Sequence, residues 1–301
     1  MIKAEPANVA IHPSTPVEEK DVTAELRQIV ANPGFPQAAA VGAIIIFLFW
    51  SFLSALPGLW FAPDSAFSQG PLVPFLAGYI LLTRWEEIKR IPAKGSWVPL
   101  VFLLPLLYIV YIATRTQMMF VLSFAFVATI GLTAWMAAGF RAALAAAPAF
   151  LYLLFGLPVW QQIVDKFTQP MQVISSEVSY AMLKGMGYEI YRPDSTTVML
   201  DRFQFVVGAP CSGLKTTIAL LAFTVLFILI ARLKVWANVL LAAFIIPFAI
   251  LINALRIAMI GWVGNTWGND AGMKFHDYSG YLALVVCFVT LRSVCRALGW
   301  K

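Results

Sequence analysis

Charged residues are scarce in this chain of 301 amino acids. Asp, Glu, Lys and Arg make up only 12% of the residues, whereas 60% are hydrophobic, and the mean hydropathy is +0.80. Soluble domains carry charge on roughly a quarter of their residues. The composition therefore excludes an ordinary soluble protein and predicts an integral membrane protein.

Cysteine and histidine are also rare, with three and two residues. An odd number of cysteines, of which Cys287 and Cys295 share one apolar run, argues against a disulfide framework. No cluster of Cys, His and carboxylate residues has the spacing of a metal site. We therefore expect neither a metal nor a cofactor.

The basic residues give the chain a net charge of +6, yet they form no single patch or arm. They lie between apolar runs, where Lys and Arg act as signals of membrane orientation. We therefore predict a chain in contact with membrane lipid and no nucleic-acid partner.

Eight apolar runs organise the sequence. They are continuous rather than alternating, so they predict helices and not barrel strands, because a helix satisfies its own backbone hydrogen bonds in lipid. We predict an all-α polytopic membrane protein with about eight transmembrane helices. The runs are residues 38–61, 71–83, 97–113, 118–140, 142–160, 214–231, 236–262 and 281–298.

The runs divide the chain into four parts. Residues 1–37 are rich in proline and hold no long apolar run, which predicts a mobile cytoplasmic tail. We expect residues 38–160 to form a five-helix scaffold, 161–210 an extracytoplasmic cap, and 211–301 a three-helix part that carries the candidate catalytic residues. This orientation puts most Lys and Arg residues on the cytoplasmic side. The inverted topology is the alternative, because the cap also carries basic residues.

The first half of the cap has the periodicity of a helix. Apolar residues recur every three or four positions from Gln161 to Lys184. This spacing predicts an amphipathic helix on the membrane surface, with a break at Pro170.

The second half of the cap has the pattern of a β-hairpin. Residues 189–192 and 197–200 flank a turn at 193–195, and residues 203–207 lead toward Cys211. The cap is either a cover over the helices or a lid that positions a substrate.

A cysteine lies at the mouth of a membrane helix. Cys211 belongs to the segment Gly208-Ala-Pro-Cys-Ser-Gly-Leu214, immediately before the apolar run 214–231. The unpaired N–H groups and the positive dipole end of a helix favour a thiolate there, and Lys215 adds a cation one turn on. Cys211 is therefore a candidate nucleophile, and a purely structural cysteine is the alternative.

An arginine interrupts a later apolar run. A charge near mid-bilayer costs at least about 2.5 kcal/mol on insertion scales. Counting from Lys234 at about 1.5 Å per residue, however, places Arg256 at the outer membrane boundary, level with Cys211. Asn253 lies three residues earlier, on the same side of the helix. Arg256 either belongs to a site at this boundary or extends to the lipid headgroups.

His276 is the only histidine outside the tail, and we expect it in a loop just before the last helix. The same topology places this loop on the outer face, with Cys211 and Arg256. A lone loop histidine is commonly just solvated. The three residues together are nevertheless the inventory of a thiol acyl-transfer site, with a nucleophile, a general acid and base, and a guanidinium for the oxyanion.

Neighbouring groups complete this hypothetical site. Backbone N–H groups of Ser212 and Gly213 are candidates for the oxyanion pocket. Asn253 is a candidate supporting residue, and Asp277 is a candidate to orient the imidazole of His276.

These residues resemble the exosortase/archaeosortase family of multi-pass membrane cysteine transpeptidases. The family pattern has a Cys-Ser-Gly element opening a late helix, an Asn-x-x-Arg element in the next helix and a histidine before the last one. The matching segments are Ala209–Leu214, Asn253–Ile257 and His276 with Gly280. The resemblance covers roughly residues 40–300, and its specific motifs lie in the last third.

The resemblance implies that Cys211 attacks a peptide bond in the C-terminal sorting signal of an exported protein. Such signals have a short Pro-Glu-Pro-type motif, a membrane helix and a basic tail. His276 would protonate the departing amine, Arg256 would stabilise the oxyanion, and an acceptor that the sequence does not identify would take the product. The family also implies the periplasmic face of the inner membrane and a link to exopolysaccharide production.

A second hypothesis comes from a different class of function. The chain would be a noncatalytic transport or scaffold component of exopolysaccharide export. Arg256 would then line a passage for an anion, and Cys211 would be incidental.

Overall fold

The computed structural model describes residue 31 and residues 34–62, 65–208, 211–231 and 233–300. Residues Gly42–Lys301 form one compact unit, and the packing below is that of this unit. Most of the predicted tail, residues 1–37, lies outside the described residues.

Helices make up most of the described chain. They are α1 Phe35–Leu48, α2 Trp50–Trp60, α3 Val73–Thr83, α4 Trp85–Lys89, α5 Pro99–Arg115, α6 Met119–Ala138, α7 Phe140–Tyr152, α8 Gln161–Gly185, α9 Leu214–Ala231, α10 Val235–Trp267 and α11 Asn269–Ala297. Short 3-10 turns lie at Gly70–Leu72, Leu153–Gly156 and Pro158–Trp160. Strands β1 Thr197–Met199 and β2 Gln204–Val206 pair antiparallel. The predicted all-α membrane fold with a small hairpin is confirmed.

The number of eight membrane helices is not confirmed. Within the described residues, α6, α9, α10 and α11 are long and apolar enough to cross a membrane. Two bent pairs raise the number to six if each is one span, namely α1 with α2 at 73° and Phe140–Gly156 with Pro158–Gly185 at 66°. The predicted runs 71–83 and 97–113 form shorter apolar helices, Gly70–Thr83 and Pro99–Arg115.

Aromatic rings hold the first helices together. Phe49, between α1 and α2, packs edge-on against Phe126 of α6 with ring centroids 5.2 Å apart. Phe52 packs against both rings at 6.3 to 6.4 Å. Such tilted and edge-to-face pairs add stability beyond the area they bury.

Helices α9, α10 and α11 surround a separate apolar cluster. It contains Leu220, Leu241, Cys287, Leu291 and Cys295, all of them fully buried. Buried cysteines of this kind act as small apolar side chains. These three helices form the frame for the candidate residues, all of which lie toward one end of it.

α8 packs along α10 through small polar side chains. Its buried residues are Ser175, Ser176, Ser179 and Leu183. Half of the predicted apolar stripe is 42 to 45% exposed (Ile163, Phe167 and Ile174), and the other half is partly buried (Met171, Val178 and Met182). Small residues let two helices approach closely. The predicted break at Pro170 is absent, because α8 continues through it.

The hairpin pairs differently from the prediction. Residues 203–207 supply the second strand, and the predicted partner 189–192 makes only a bridge between Tyr191 and Met199. Residues 203–207 can pair with β1 because two residues, Asp201 and Arg202, connect Leu200 to Phe203, and a two-residue connection suffices for a tight hairpin.

Asp194 marks the start of β1. Its carboxylate accepts hydrogen bonds from the backbone and hydroxyl groups of Thr196 and Thr197 at 2.7 to 3.0 Å. These bonds lower the pKa of Asp194 to about 2. The Asp194 carboxylate therefore stays ionised at pH values far below neutral.

The predicted loop before the last helix is replaced by a corner. α10 ends at Trp267, the following Gly268 has a φ of +92° that suits glycine, and α11 begins at Asn269. His276 therefore lies in the second turn of α11 and not in a loop. The ring of Phe203 fills the space beside Gly264 of α10 and Gly272 of α11, where a Cβ on either glycine would overlap it.

Candidate active site

The candidate nucleophile lies between β2 and α9. The N–H of Cys211 donates to the Gly208 carbonyl, and the N–H of Gly208 donates to the Val206 carbonyl, both at 2.9 Å. Gly213 then takes a φ of +82° before α9 begins at Leu214. Residues with a Cβ rarely adopt this φ, so the path of the loop depends on Gly213.

The thiol of Cys211 touches the imidazole of His276. The Sγ–Nε2 distance is 2.9 Å, although 65 residues separate the two in sequence. Cys211 is 6% exposed, and the histidine side chain is 20% exposed. The thiol proton can therefore pass to the imidazole without any rearrangement of the chain.

Asp277 lies at the other side of the same ring. Its Oδ1 is 3.2 Å from Nδ1 of His276. The carboxylate is 70% exposed, so water screens it, and its hold on the imidazole is weak.

Arg256 binds the turn of α11 that carries the histidine. Its Nε donates to Ser279 Oγ at 2.9 Å, and its Nη2 donates to the His276 carbonyl at 3.1 Å. Ser279 Oγ donates to the same carbonyl at 3.1 Å. These three bonds close a ring that joins α10 to the histidine turn.

Asn253 binds the backbone of the nucleophile loop, the segment between β2 and α9 that carries Cys211, Ser212 and Gly213. Its Nδ2 donates to the Cys211 carbonyl at 2.8 Å and to Ser175 Oγ at 3.0 Å. Ser175 in turn donates to the Ser212 carbonyl at 3.4 Å. A Cβ on Gly213 would come within 2.8 Å of the Asn253 side chain. The loop is thus clamped between α8 and α10.

Ser175 and Ser279 are the residues that sequence reasoning missed. Serine is common in membrane helices and often bonds only to its own helix, so neither residue stood out. For Ser279 the spacing of three residues from His276 was a weak signal, since residues three apart share a helix face. The six predicted site residues lie together, in two connected groups around Cys211 and His276.

This arrangement of a cysteine, a histidine and an arginine on three successive elements can be compared with known families. Residues 59–292 match the family model of the transmembrane exosortases. The chain belongs to the transmembrane exosortase family. The matched range contains Cys211, Asn253, Arg256 and His276 and most of the membrane helices. No curated protein and no solved structure matches the chain.

Two cavities of this exosortase border the site. One, of about 310 Å³, lies between the end of α2 with the segment that follows it, the start of α8 and the loop that carries Cys211, and its polar lining includes Gln161, Thr168, Ser212 and Lys215. The other is an apolar groove of about 90 Å³ between α10 and α11, with Arg256 and Ser279 on its wall. Within the described residues, no group of three or more His, Cys, Asp and Glu side chains is placed to hold a metal ion.

Proposed function

We propose that this exosortase is a membrane-embedded cysteine transpeptidase that cleaves the C-terminal sorting signal of exported proteins. The contact between Cys211 Sγ and His276 Nε2 at 2.9 Å carries the proposal. A thiol within hydrogen-bond reach of an imidazole, partly shielded from water, is the pairing that cysteine acyl transfer requires.

The reaction runs through a thioester. His276 takes the proton of Cys211, and the thiolate adds to the scissile carbonyl to give a tetrahedral oxyanion. The intermediate collapses when His276 protonates the departing amine, so the downstream membrane helix leaves. An acceptor amine or a water molecule then gives its proton to His276 and attacks the thioester, which releases the thiol.

Arg256 has two roles in this proposal. Its bonds to Ser279 and to the His276 carbonyl use two of the five N–H donors of a guanidinium. The side chain thus holds the histidine turn and retains donors for the oxyanion. Backbone N–H groups of Ser212 and Gly213 would complete the oxyanion pocket.

Asn253 and Ser175 are positioning residues rather than oxyanion donors. Both hydrogens of the Asn253 amide are already engaged, one with the Cys211 carbonyl and one with Ser175. The pair acts on catalysis through the backbone of the nucleophile loop.

The substrates are exported proteins that end in a short motif, a membrane helix and a basic tail. The active site faces the periplasm, and the tail lies in the cytoplasm. Anchoring both partners in one bilayer brings the scissile bond to the thiol and supplies proximity. Polysaccharide-linked protein sorting is the process in which this activity would serve.

Co-expression with a host protein that bears such a signal tests the proposal. We expect a shorter product on an immunoblot with the wild type and none with Cys211→Ser or His276→Ala. Cys287→Ser is the matched control, because this buried thiol lies in the apolar cluster away from the histidine. Mass spectrometry of the new C-terminus separates hydrolysis from transfer. Processing by Cys211→Ser, or none by the wild type across all such host signals, would contradict the proposal and favour a noncatalytic role.

A further inference from the structure

All three residues of β2 lie opposite residues of β1, but only every second position along the two strands exchanges hydrogen bonds. The N–H of Val207 donates to the Thr196 carbonyl at 2.9 Å, just beyond the ends of the strands. Hydrogen-bonded and non-bonded pairs alternate along an antiparallel ladder. The next bonded pair is therefore Phe205 with Val198, which lie opposite each other in register. The remaining residues of β2 turn their N–H and C=O groups to the opposite edge.

Gln204 and Val206 carry this free edge. Both side chains are exposed, and Val206 is 63% exposed. The carbonyl of Val206 accepts a bond from Gly208. Within the described part of the chain, no hydrogen bond is made by the N–H or C=O of Gln204 or by the N–H of Val206. An exposed strand edge with unpaired groups is a template for another strand.

The edge leads directly to the thiol. Two backbone hydrogen bonds tie Gly208 to Val206 and Cys211 to Gly208, and Cys211 contacts His276 of α11. At the other end of the strand, the ring of Phe203 packs beside Gly272, one helical turn before His276. Both ends of this segment therefore lie near the same face of α11, and the path along the edge stops at the Cys211–His276 pair.

We propose that the free edge of β2 binds, by strand addition, the extended segment of the exported protein that precedes the scissile bond. This inference rests on the proposed function. The N–H and C=O of Gln204 and the N–H of Val206 would bond to the main chain of the substrate, so recognition would depend on an extended conformation.

The substrate strand runs parallel to β2. In this direction the residues upstream of the scissile bond lie on the cap, and the membrane helix of the substrate begins beyond Cys211. An antiparallel strand would instead place that membrane helix on the polar cap. Tight turns span less than about 7 Å, and extended chain advances about 3.3 Å per residue. The bound segment therefore lies roughly three to six residues before the scissile bond.

Two proline substitutions in the full-length protein in nanodiscs test this edge. Val206→Pro removes an N–H of the free edge and no bond of the ladder, and proline is tolerated at strand edges. Asp201→Pro is the matched control, because Asp201 is exposed in the turn of the same hairpin, where proline is favoured. The substrate is a purified fusion that ends in the host sorting signal. Alkylation of Cys211, followed by mass spectrometry, reports on the integrity of the site.

We expect Val206→Pro to raise KM about tenfold or more, with Cys211 alkylated as in the wild type, and Asp201→Pro to process normally. Synthetic substrates N-methylated at single amides should lose processing sharply at one position three to six residues upstream. Normal processing by Val206→Pro, equal loss in both proline variants, or equal tolerance of N-methylation at every upstream position would overturn strand addition. Failure of the wild type to process any signal would instead overturn the proposed function.

Discussion

The scaffold helices and the site helices use polar side chains in different ways. In α5 and α6, Thr114, Ser123, Thr129 and Thr133 each donate to the carbonyl four residues earlier in their own helix. Around the site, hydrogen bonds of Asn253, Ser175 and Arg256 join different elements across 20 to 78 residues of sequence. Two aromatic side chains of the scaffold also bond to other elements, Trp60 Nε1 to the Gly156 carbonyl at 2.7 Å and the Tyr152 hydroxyl to the Ala222 carbonyl at 3.2 Å. Apolar packing with isolated bonds of this kind holds the first region, whereas a connected set of polar bonds sets the geometry of the second.

This difference indicates where substitutions matter. In lipid, apolar side chains gain little by moving from bilayer to protein, so helix packing tolerates many apolar exchanges. A buried hydrogen bond between two elements tolerates few exchanges. When one partner is removed, the other is left buried with neither a protein partner nor water to bond to. Activity should therefore depend on the polar bonds of the site, and membrane insertion should not.

Arg256→Lys should have the largest effect of the three substitutions considered below. An ammonium lacks the planar fork that reaches both Ser279 Oγ and the His276 carbonyl. We expect the processing rate to fall about a hundredfold or more, in the range seen when an oxyanion donor is lost. The measurement is the initial rate at equal protein levels in membranes.

Arg292→Lys is the control for that substitution, because Arg292 is exposed toward the other end of α11. It should process at the wild-type rate. An Arg256→Lys protein with more than half of the wild-type rate would show that the bonds of Arg256 do not set the site.

Asn253→Ala should have an intermediate effect. The change leaves the Cys211 carbonyl and Ser175 Oγ without their donor in a buried place, which costs about 1 to 3 kcal/mol. We expect kcat to fall about tenfold with KM unchanged, because the loop moves while the substrate surface does not. Initial rates over a range of substrate concentrations give the two constants.

Asn238→Ala is the matched control on the same helix, since Asn238 lies near the start of α10 and its side chain donates a long bond of 3.5 Å to the Leu233 carbonyl. Its kcat should equal that of the wild type. A rise in KM alone for Asn253→Ala would argue for a role in substrate binding rather than in positioning the thiol.

Thr129→Val should have the smallest effect, and it tests whether a polar bond within a scaffold helix affects the site. Thr129 is 3% exposed, and its hydroxyl donates to the Ala125 carbonyl of its own helix. Valine preserves the shape, so we expect a change in the free energy of unfolding below about 0.5 kcal/mol and a normal rate. Thermal unfolding in detergent and the processing assay check both. A large loss of activity would mean that the scaffold also sets the geometry of the site.

The candidate site residues were predictable because they are out of place in their surroundings. A lone cysteine before a membrane helix, an arginine within an apolar run and a single histidine outside the tail each conflict with the local composition. Membrane topology then placed them on one face. The family resemblance supplied the order of the motifs, and the match over residues 59–292 confirms the family.

The partners of these residues were not predictable, because their sequence signals are ordinary. Ser175 lies on an amphipathic helix whose apolar stripe attracted the prediction, yet the serine face is the buried one. The rule that apolar residues face inward comes from soluble proteins and does not hold in general for helices of a membrane protein. The number of membrane crossings was equally hard to predict, because bends such as the 73° corner between α1 and α2 depend on packing.

The ring of Phe203 means that the cap cannot be exchanged without affecting how α10 and α11 pack. It occupies the notch between Gly264 and Gly272, one turn before the histidine on α11. A cap borrowed from a relative would have to bring a side chain of the same thickness, or the spacing of the two helices would change. Substitutions that preserve the packing of these helices should therefore be confined to the outward residues of the hairpin and leave its inward ring untouched.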